Sequence, residues 1–163
     1  MDVSRIFLGL GEESFAQLLR SISIGKLKTF QLYERLKTRL HLQKLNSEGL
    51  RKVAPRSWAR LSEPGSDEFA TELSQAILIS HLDMIKAVLD HLGIPHEDGF
   101  FAKDLDASKY LMEGWQQKTY EQFKPLYPES LLLFYMNHLG FELGQASEVY
   151  LPQKTADAGV SPV

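Results

Sequence analysis

Apolar side chains recur every three or four residues along most of the chain, which is the spacing of an amphipathic helix. Phe15, Leu18, Leu19 and Ile22, for example, fall on one face of a helix. We find no convincing alternation of apolar and polar residues, and we predict no hairpin of the Asn-Gly or Asp-Gly type. The pattern therefore predicts an all-α protein. The predicted helices lie at about 12–22, 26–44, 46–54, 67–92, 105–124 and 128–139.

The longest predicted helix, 67–92, has the widest apolar surface. Ser66 is its predicted N-cap, and Asp67 and Glu68 follow where carboxylates interact well with the helix dipole. Its single polar stripe is interrupted by Ile79, and its other faces are apolar. Such a surface needs neighbours on several sides, so we expect this helix at the centre of the fold. The predicted architecture is a single-domain orthogonal or irregular bundle of about five to seven helices around it.

Two copies of the sequence His-Leu-Gly are predicted to end helices. In the first copy, Gly93 would adopt the left-handed conformation and Ile94 would fold back on Leu89. Pro95 then prevents the helix from continuing. In the second copy, Gly140 is expected to end the last helix in the same way. Helix capping explains both copies without a functional site.

The length and the composition fit one domain with an ordinary core. The chain has 163 residues, of which 44% are hydrophobic and 24% charged. We predict one helical domain at 1–143 and a flexible tail at 144–163, where the sequence is polar and rich in small residues. Residues 1–62 hold 12 Lys and Arg against 5 Asp and Glu, whereas the remainder holds 6 against 16. We therefore expect the basic half, 1–62, to pack on the acidic half, 63–143.

Several classes of function are disfavoured by what the sequence lacks. It has no cysteine, which excludes disulfides, thiolate zinc sites, iron–sulfur clusters and cysteine nucleophiles. It has no nucleophile elbow, no triad-like arrangement and no phosphate-binding glycine loop, so we expect no cofactor. The apolar run 6–10 is too short for a signal peptide, and no run approaches the roughly 20 apolar residues of a membrane span. We expect a cytoplasmic protein without a membrane partner.

The first functional hypothesis is a non-enzymatic binding or protein-interaction module, whose partner is another protein or a second copy of the chain. Phe100 and Phe101 follow Gly99 in a predicted loop, where paired phenylalanines would form a docking patch. Trp115 belongs to a dense aromatic cluster that could line a pocket. His81 lies on the apolar side of the long helix and must find a partner there. These four aromatic or imidazole side chains are the candidate ligand- or partner-binding residues.

The first alternative hypothesis is nucleic-acid binding through the basic segment 26–60. Residues 46–63 could form a helix, a short turn and a second helix, which would present Arg56, Ser57 and Arg60 to DNA. The net charge of −3 weighs against it, because phosphate contacts benefit from a positive protein. The candidate contacts are Arg35, Arg39, Arg51, Lys52, Arg56 and Arg60.

The second alternative is a metal-dependent enzyme using His81, His91 and His96. The proposed metal ligands are His91, His96 and Asp98, a donor set that suits zinc, manganese or iron. Their spacing, however, matches no familiar ligand pattern. We favour a His91 that interacts with the helix dipole and a solvated His96.

Overall fold

The computed structural model describes residues 3–22, 47–63, 66–102, 104–146 and 148–152, with the backbone alone for 47–53. Within these ranges the fold is helical and contains no β-strand, which confirms the predicted all-α bundle. The helices are α1 (Val3–Leu10), α2 (Glu12–Arg20), α3 (Ser47–Arg60), α4 (Asp67–Ser80), α5 (Leu82–Leu92), α6 (Trp115–Phe123) and α7 (Glu129–Glu142). None of these described helices has the length and apolarity needed to cross a bilayer. The predicted helix 26–44 lies outside the described residues.

The most buried helix is α7. Each of its residues from Ser130 to Asn137 is buried, as are Leu139 and Gly140. The helix packs against α1, α2 and α6, so it has neighbours on several sides. The last helix therefore occupies the central position that the apolar pattern assigned to 67–92.

The predicted long helix 67–92 is broken at His81, and that prediction of one continuous helix was wrong. His81 has φ −132° and ψ 42°, outside the helical region, and it separates α4 from α5. Its amide donates to the carbonyl of Leu78, three residues back instead of four. Ser80 Oγ also donates to the Ala76 carbonyl at 2.7 Å, a side-chain bond that bends helices. Neither feature interrupts the apolar spacing, so the pattern continues through the break.

The first His-Leu-Gly sequence caps a helix as predicted, but the second does not. Gly93 has φ 76°, and the Ile94 amide donates to the Leu89 carbonyl at 3.0 Å, which confirms the predicted cap. Gly140 instead lies inside α7, where an added Cβ would be 3.3 Å from Trp115 Cζ2. Gly144, with φ 71°, takes the left-handed position after that helix. Gly140 thus serves close packing, and α7 ends three residues later than predicted.

Residues 148–152 pack on the helices. Asn137 is buried in α7, and its Nδ2 donates to the carbonyls of Leu133 at 2.8 Å and Tyr150 at 3.1 Å. The Tyr150 amide donates back to Asn137 Oδ1 at 2.6 Å. Val149 lies against Gly9 of α1, where a Cβ would come within 2.7 Å of Val149 Cγ2. The domain boundary at 143 and the flexible tail stay predictions, since residues from 153 onward lie outside the described residues.

Substituting Asn137 by alanine should release this segment from α7. The change removes the side-chain partner of both backbone groups of Tyr150, and each buried group left without a partner costs about 1–3 kcal/mol. We expect faster hydrogen exchange at the Tyr150 amide than in the unmodified chain, measured by NMR or mass spectrometry. Gln145→Ala changes an exposed side chain nearby and should leave that exchange rate unaltered. Equal protection of Tyr150 in Asn137→Ala would contradict the role given to Asn137.

Candidate functional site

A cavity of about 380 Å³ lies where α4, α5 and α7 meet the start of α1 and the loop at 99–101. We call it the α4–α7 cavity. Thr71, Gln75 and Phe100 line it and are exposed, so they mark its mouth. Ser74 and Tyr135 line it and are buried, so they mark its floor. The volume falls within the roughly 300–1,000 Å³ of small-molecule sites.

Apolar side chains form much of the cavity wall. Ile79, the residue that interrupts the polar stripe of the sequence, lines the cavity beside Leu78 and Leu82. Phe100 is 64% exposed, as expected for a residue of an exposed docking patch, whereas Phe101 is partly buried against the core. Both phenylalanines line the cavity. The structure therefore brings together two of the four predicted binding residues.

Three residues that line the cavity also carry buried polar atoms, namely Ser74 Oγ, Tyr135 Oη and His138 Nδ1, which we call the polar trio. Within the described part of the chain, these atoms have no hydrogen-bond partner. Buried polar groups are nearly always paired, because leaving one unpaired costs about 1–3 kcal/mol. A bound molecule that supplies hydrogen bonds would satisfy them.

The ionisable groups of the trio are held neutral. Burial lowers the pKa of His138 from its ordinary value of 6.5 to about 4. This happens although Glu142 Oε2 lies 3.5 Å from His138 Nδ1, a distance longer than an ordinary hydrogen bond. Burial also raises the pKa of Tyr135, and the negative charge of Glu142 adds to that effect. At neutral pH the cavity therefore presents an uncharged imidazole and a protonated phenol.

A tight turn holds Phe100 at the cavity mouth. Glu97 and Phe100 exchange backbone hydrogen bonds of 2.8 and 3.0 Å, and Asp98 and Gly99 have φ 52° and 92°. Positive φ at both central residues is typical of a type I′ turn, for which Asp-Gly is a preferred sequence. The turn carries an isolated bridge between Glu97 and Phe100 and no described strand on either side, so it is not a β-hairpin and does not contradict the prediction that the chain has none. Space is also tight at Gly99, since a Cβ there would lie 3.3 Å from Ile85 Cγ2.

His96 stabilises this turn through hydrogen bonds of its ring. The prediction that His96 is solvated was wrong. Its side chain is 12% exposed, and Nδ1 accepts a hydrogen bond from the Gly99 amide at 3.0 Å. The ring proton of the neutral form therefore sits on Nε2, which donates to Asp90 Oδ1 at 2.7 Å. Both ring nitrogens are engaged in holding the loop.

The structure does not assemble the proposed metal site. His91, in the last turn of α5, places its ring edge-on to Phe123 with 5.3 Å between centroids. Asp98 lies 3.8 Å from Lys86 Nζ, and His96 is bonded within the loop. Over the described ranges, no three His, Cys, Asp or Glu side chains come close enough to hold an ion.

His81 and Trp115 lie away from the α4–α7 cavity. His81 lines a separate cavity of about 540 Å³ with Ser21 and Leu131. Burial lowers the pKa of His81, while a backbone hydrogen bond with Ser21 opposes the shift. Trp115 is 6% exposed and packs on Gly140, so it serves the core.

The proposed helix-turn-helix is absent from residues 47–60, which form one continuous helix with Pro55 inside it. A single proline removes only one helical hydrogen bond, and here the helix continues through it. Ser57 is fully buried and cannot face DNA, whereas Arg56 is exposed. The Arg60 guanidinium lies 4.0 Å from the centre of the Phe69 ring. Arg35 and Arg39 lie outside the described residues, as do the side chains of Arg51 and Lys52.

Sequence reasoning missed the polar trio. The available signal was a polar residue within an otherwise apolar helix, as with Ser74 among the buried positions of α4 and His138 in the almost wholly buried α7. The two helices are far apart in sequence, so only the fold shows that these residues line one cavity. Comparisons of this chain with known protein families, with curated proteins and with solved structures found no match.

Proposed function

We propose that this chain is a binding protein that takes up a small, mostly apolar molecule with one polar group in the α4–α7 cavity. The polar trio carries the proposal, because three residues that line a largely apolar cavity have hydrogen-bonding atoms without a partner in the described chain. Small-molecule sites commonly combine apolar walls with a few well-placed polar groups. Ligand binding would offset the cost of burying the trio.

Binding fits the site better than catalysis. A serine nucleophile needs a base within hydrogen-bond reach, and Ser74 Oγ has no such partner among the described residues. A general base works best with a pKa near the operating pH, whereas burial lowers the pKa of His138 to about 4. The site is therefore arranged to recognise a polar group rather than to transfer its proton.

Phe100 adds to the proposed binding. Its ring is 64% exposed and lies at the mouth of the cavity, on a turn that Gly99 and His96 hold in place. A ligand that covers this ring gains roughly 25 cal/mol for each Å² of apolar surface removed from water. The mouth thus contributes affinity, and the polar trio contributes orientation.

Removing the polar atoms of the trio should stabilise the ligand-free protein and weaken binding. Ser74→Ala and Tyr135→Phe each eliminate a buried hydroxyl without a partner in the described structure, so each should raise the free energy of unfolding by about 1 kcal/mol. The same substitutions remove hydrogen bonds to the ligand. Urea denaturation measures the first effect, and calorimetric titration with n-octanol as the probe measures the second.

Ser57→Ala is the matched control, because Ser57 Oγ is also buried without a partner in the described chain but does not line the cavity. It should stabilise the protein and leave n-octanol binding unchanged. Weaker binding in Ser57→Ala, or unchanged binding in both cavity variants, would contradict the proposed function.

A further inference from the structure

The charges around the α4–α7 cavity disfavour an anionic ligand. The fourteen residues that line it, all of them described, include no Lys or Arg. Glu142 is the lining residue with a carboxylate, and it lies 3.5 Å from His138 Nδ1. A carboxylate or phosphate that entered would lose its hydration without meeting a cation, and it would approach the negative charge of Glu142.

A cationic ligand is disfavoured because a positive charge in this cavity loses its hydration, as the buried imidazole of His138 illustrates. His138 Nδ1 lies 3.5 Å from a carboxylate oxygen, which by itself favours the charged ring. Burial nevertheless lowers the pKa of His138 to about 4. A ligand ammonium in this cavity would lose its hydration among largely apolar side chains, and the lining carboxylate, Glu142, already lies 3.5 Å from His138 Nδ1.

The hydrogen-bonding capacity of the trio requires both a donor and an acceptor on the ligand. Nδ1 of the neutral His138 ring, which is unpaired in the described chain, accepts a hydrogen bond when the ring proton is on Nε2. The hydroxyls of Ser74 and Tyr135 can donate. A single hydroxyl on the ligand can receive one of these bonds and give the other.

We infer that the α4–α7 cavity selects an uncharged molecule with an apolar body and a hydroxyl group over the carboxylate or the ammonium of the same chain length. This inference rests on the proposed function and specifies its class of ligand. It follows from the apolar wall, the absence of lining Lys and Arg among the described residues, and the polar trio.

The test is calorimetric titration of the full chain at neutral pH with n-octanol, octanoate and octylammonium. Heptyl methyl ether, an isomer of n-octanol that cannot donate a hydrogen bond, is the fourth probe. We expect n-octanol to bind about tenfold more tightly than either ion and several-fold more tightly than the ether. Tyr135→Phe should weaken n-octanol binding and leave octanoate binding no stronger.

Ile79→Trp locates the binding, because Ile79 lines the cavity and a larger side chain there fills it. Met112→Trp is its control, since Met112 is 65% exposed and lies outside the cavity lining. Binding should be lost in the first variant and retained in the second. Binding of all probes that survives Ile79→Trp, or the absence of binding by every probe, would overturn the proposed function.

Two other results would contradict the ligand class alone. If octanoate or octylammonium binds as tightly as n-octanol and is displaced by Ile79→Trp, the cavity binds ligands but does not select uncharged ones. If the ether matches n-octanol, the ligand needs no donor, and the role given to His138 Nδ1 as an acceptor is wrong. Either result leaves the proposed function standing and overturns the ligand class.

Discussion

Phe134→Ala should lower the free energy of unfolding by about 3–5 kcal/mol, the usual loss for a buried phenylalanine. Phe134 is fully buried in the middle of α7, and its ring stacks on Phe7 of α1 with 4.9 Å between centroids. Phe7 in turn meets Phe15 of α2 edge-on at 5.3 Å. The substitution therefore opens a cavity where three helices meet and removes one member of the aromatic cluster.

Urea denaturation followed by circular dichroism would measure this loss. Phe100→Ala is the control, because the same side chain is removed from a position that is 64% exposed. Its effect on unfolding should stay within about 0.5 kcal/mol, as for most surface substitutions. Similar losses in the two variants would mean that α7 does not form the centre of the core.

The helical class of the fold could be predicted because it depends on local spacing. Apolar residues three and four positions apart must share a helix face, whatever lies opposite them. The cap at Gly93 was equally local, since its glycine, the apolar Ile94 and the following proline are adjacent in the sequence. Features of this kind depend on a few neighbouring residues, and the structure confirms them.

The arrangement of the helices could not be predicted, because it depends on contacts between distant segments. The sequence does not distinguish a helix that passes through His81 from one that breaks there, since both keep the apolar spacing. The predicted helix 105–124 includes Gly114, but the φ of 80° at Gly114 marks the point where α6 begins. Gly140 shares its local sequence with Gly93, yet the ring of Trp115 gives it a packing role.

The candidate site was predictable only at its mouth. Phe100 and Phe101 stand together in the sequence after a glycine, which indicates a loop with exposed rings. The polar trio instead combines one residue of α4 with two of α7, and nothing in either segment indicates the other. Polar residues buried without partners in the described fold can be recognised only when burial and hydrogen bonds are both observed.

The stability of the chain should fall between pH 6.5 and pH 4 because of His138. Burial lowers its pKa to about 4 in the folded protein, whereas the unfolded chain takes up the proton near the ordinary value of 6.5. In this window the unfolded state binds more protons, so acid favours it. The contribution of His138 to stability is complete above pH 6.5, and roughly 3 kcal/mol of it is lost by pH 4.

Comparison with His138→Gln isolates this contribution, because glutamine does not titrate and His81, whose pKa burial also lowers, is present in both proteins. Urea denaturation at intervals from pH 7 to pH 4 should show the unmodified chain losing about 3 kcal/mol more than the variant. Tyr135→Phe changes the same wall and should keep the steep dependence, since the raised pKa of Tyr135 leaves it protonated throughout this range. Parallel curves for the unmodified chain and His138→Gln would mean that His138 is not held neutral by burial. The burial of this ring would then no longer disfavour a cationic ligand.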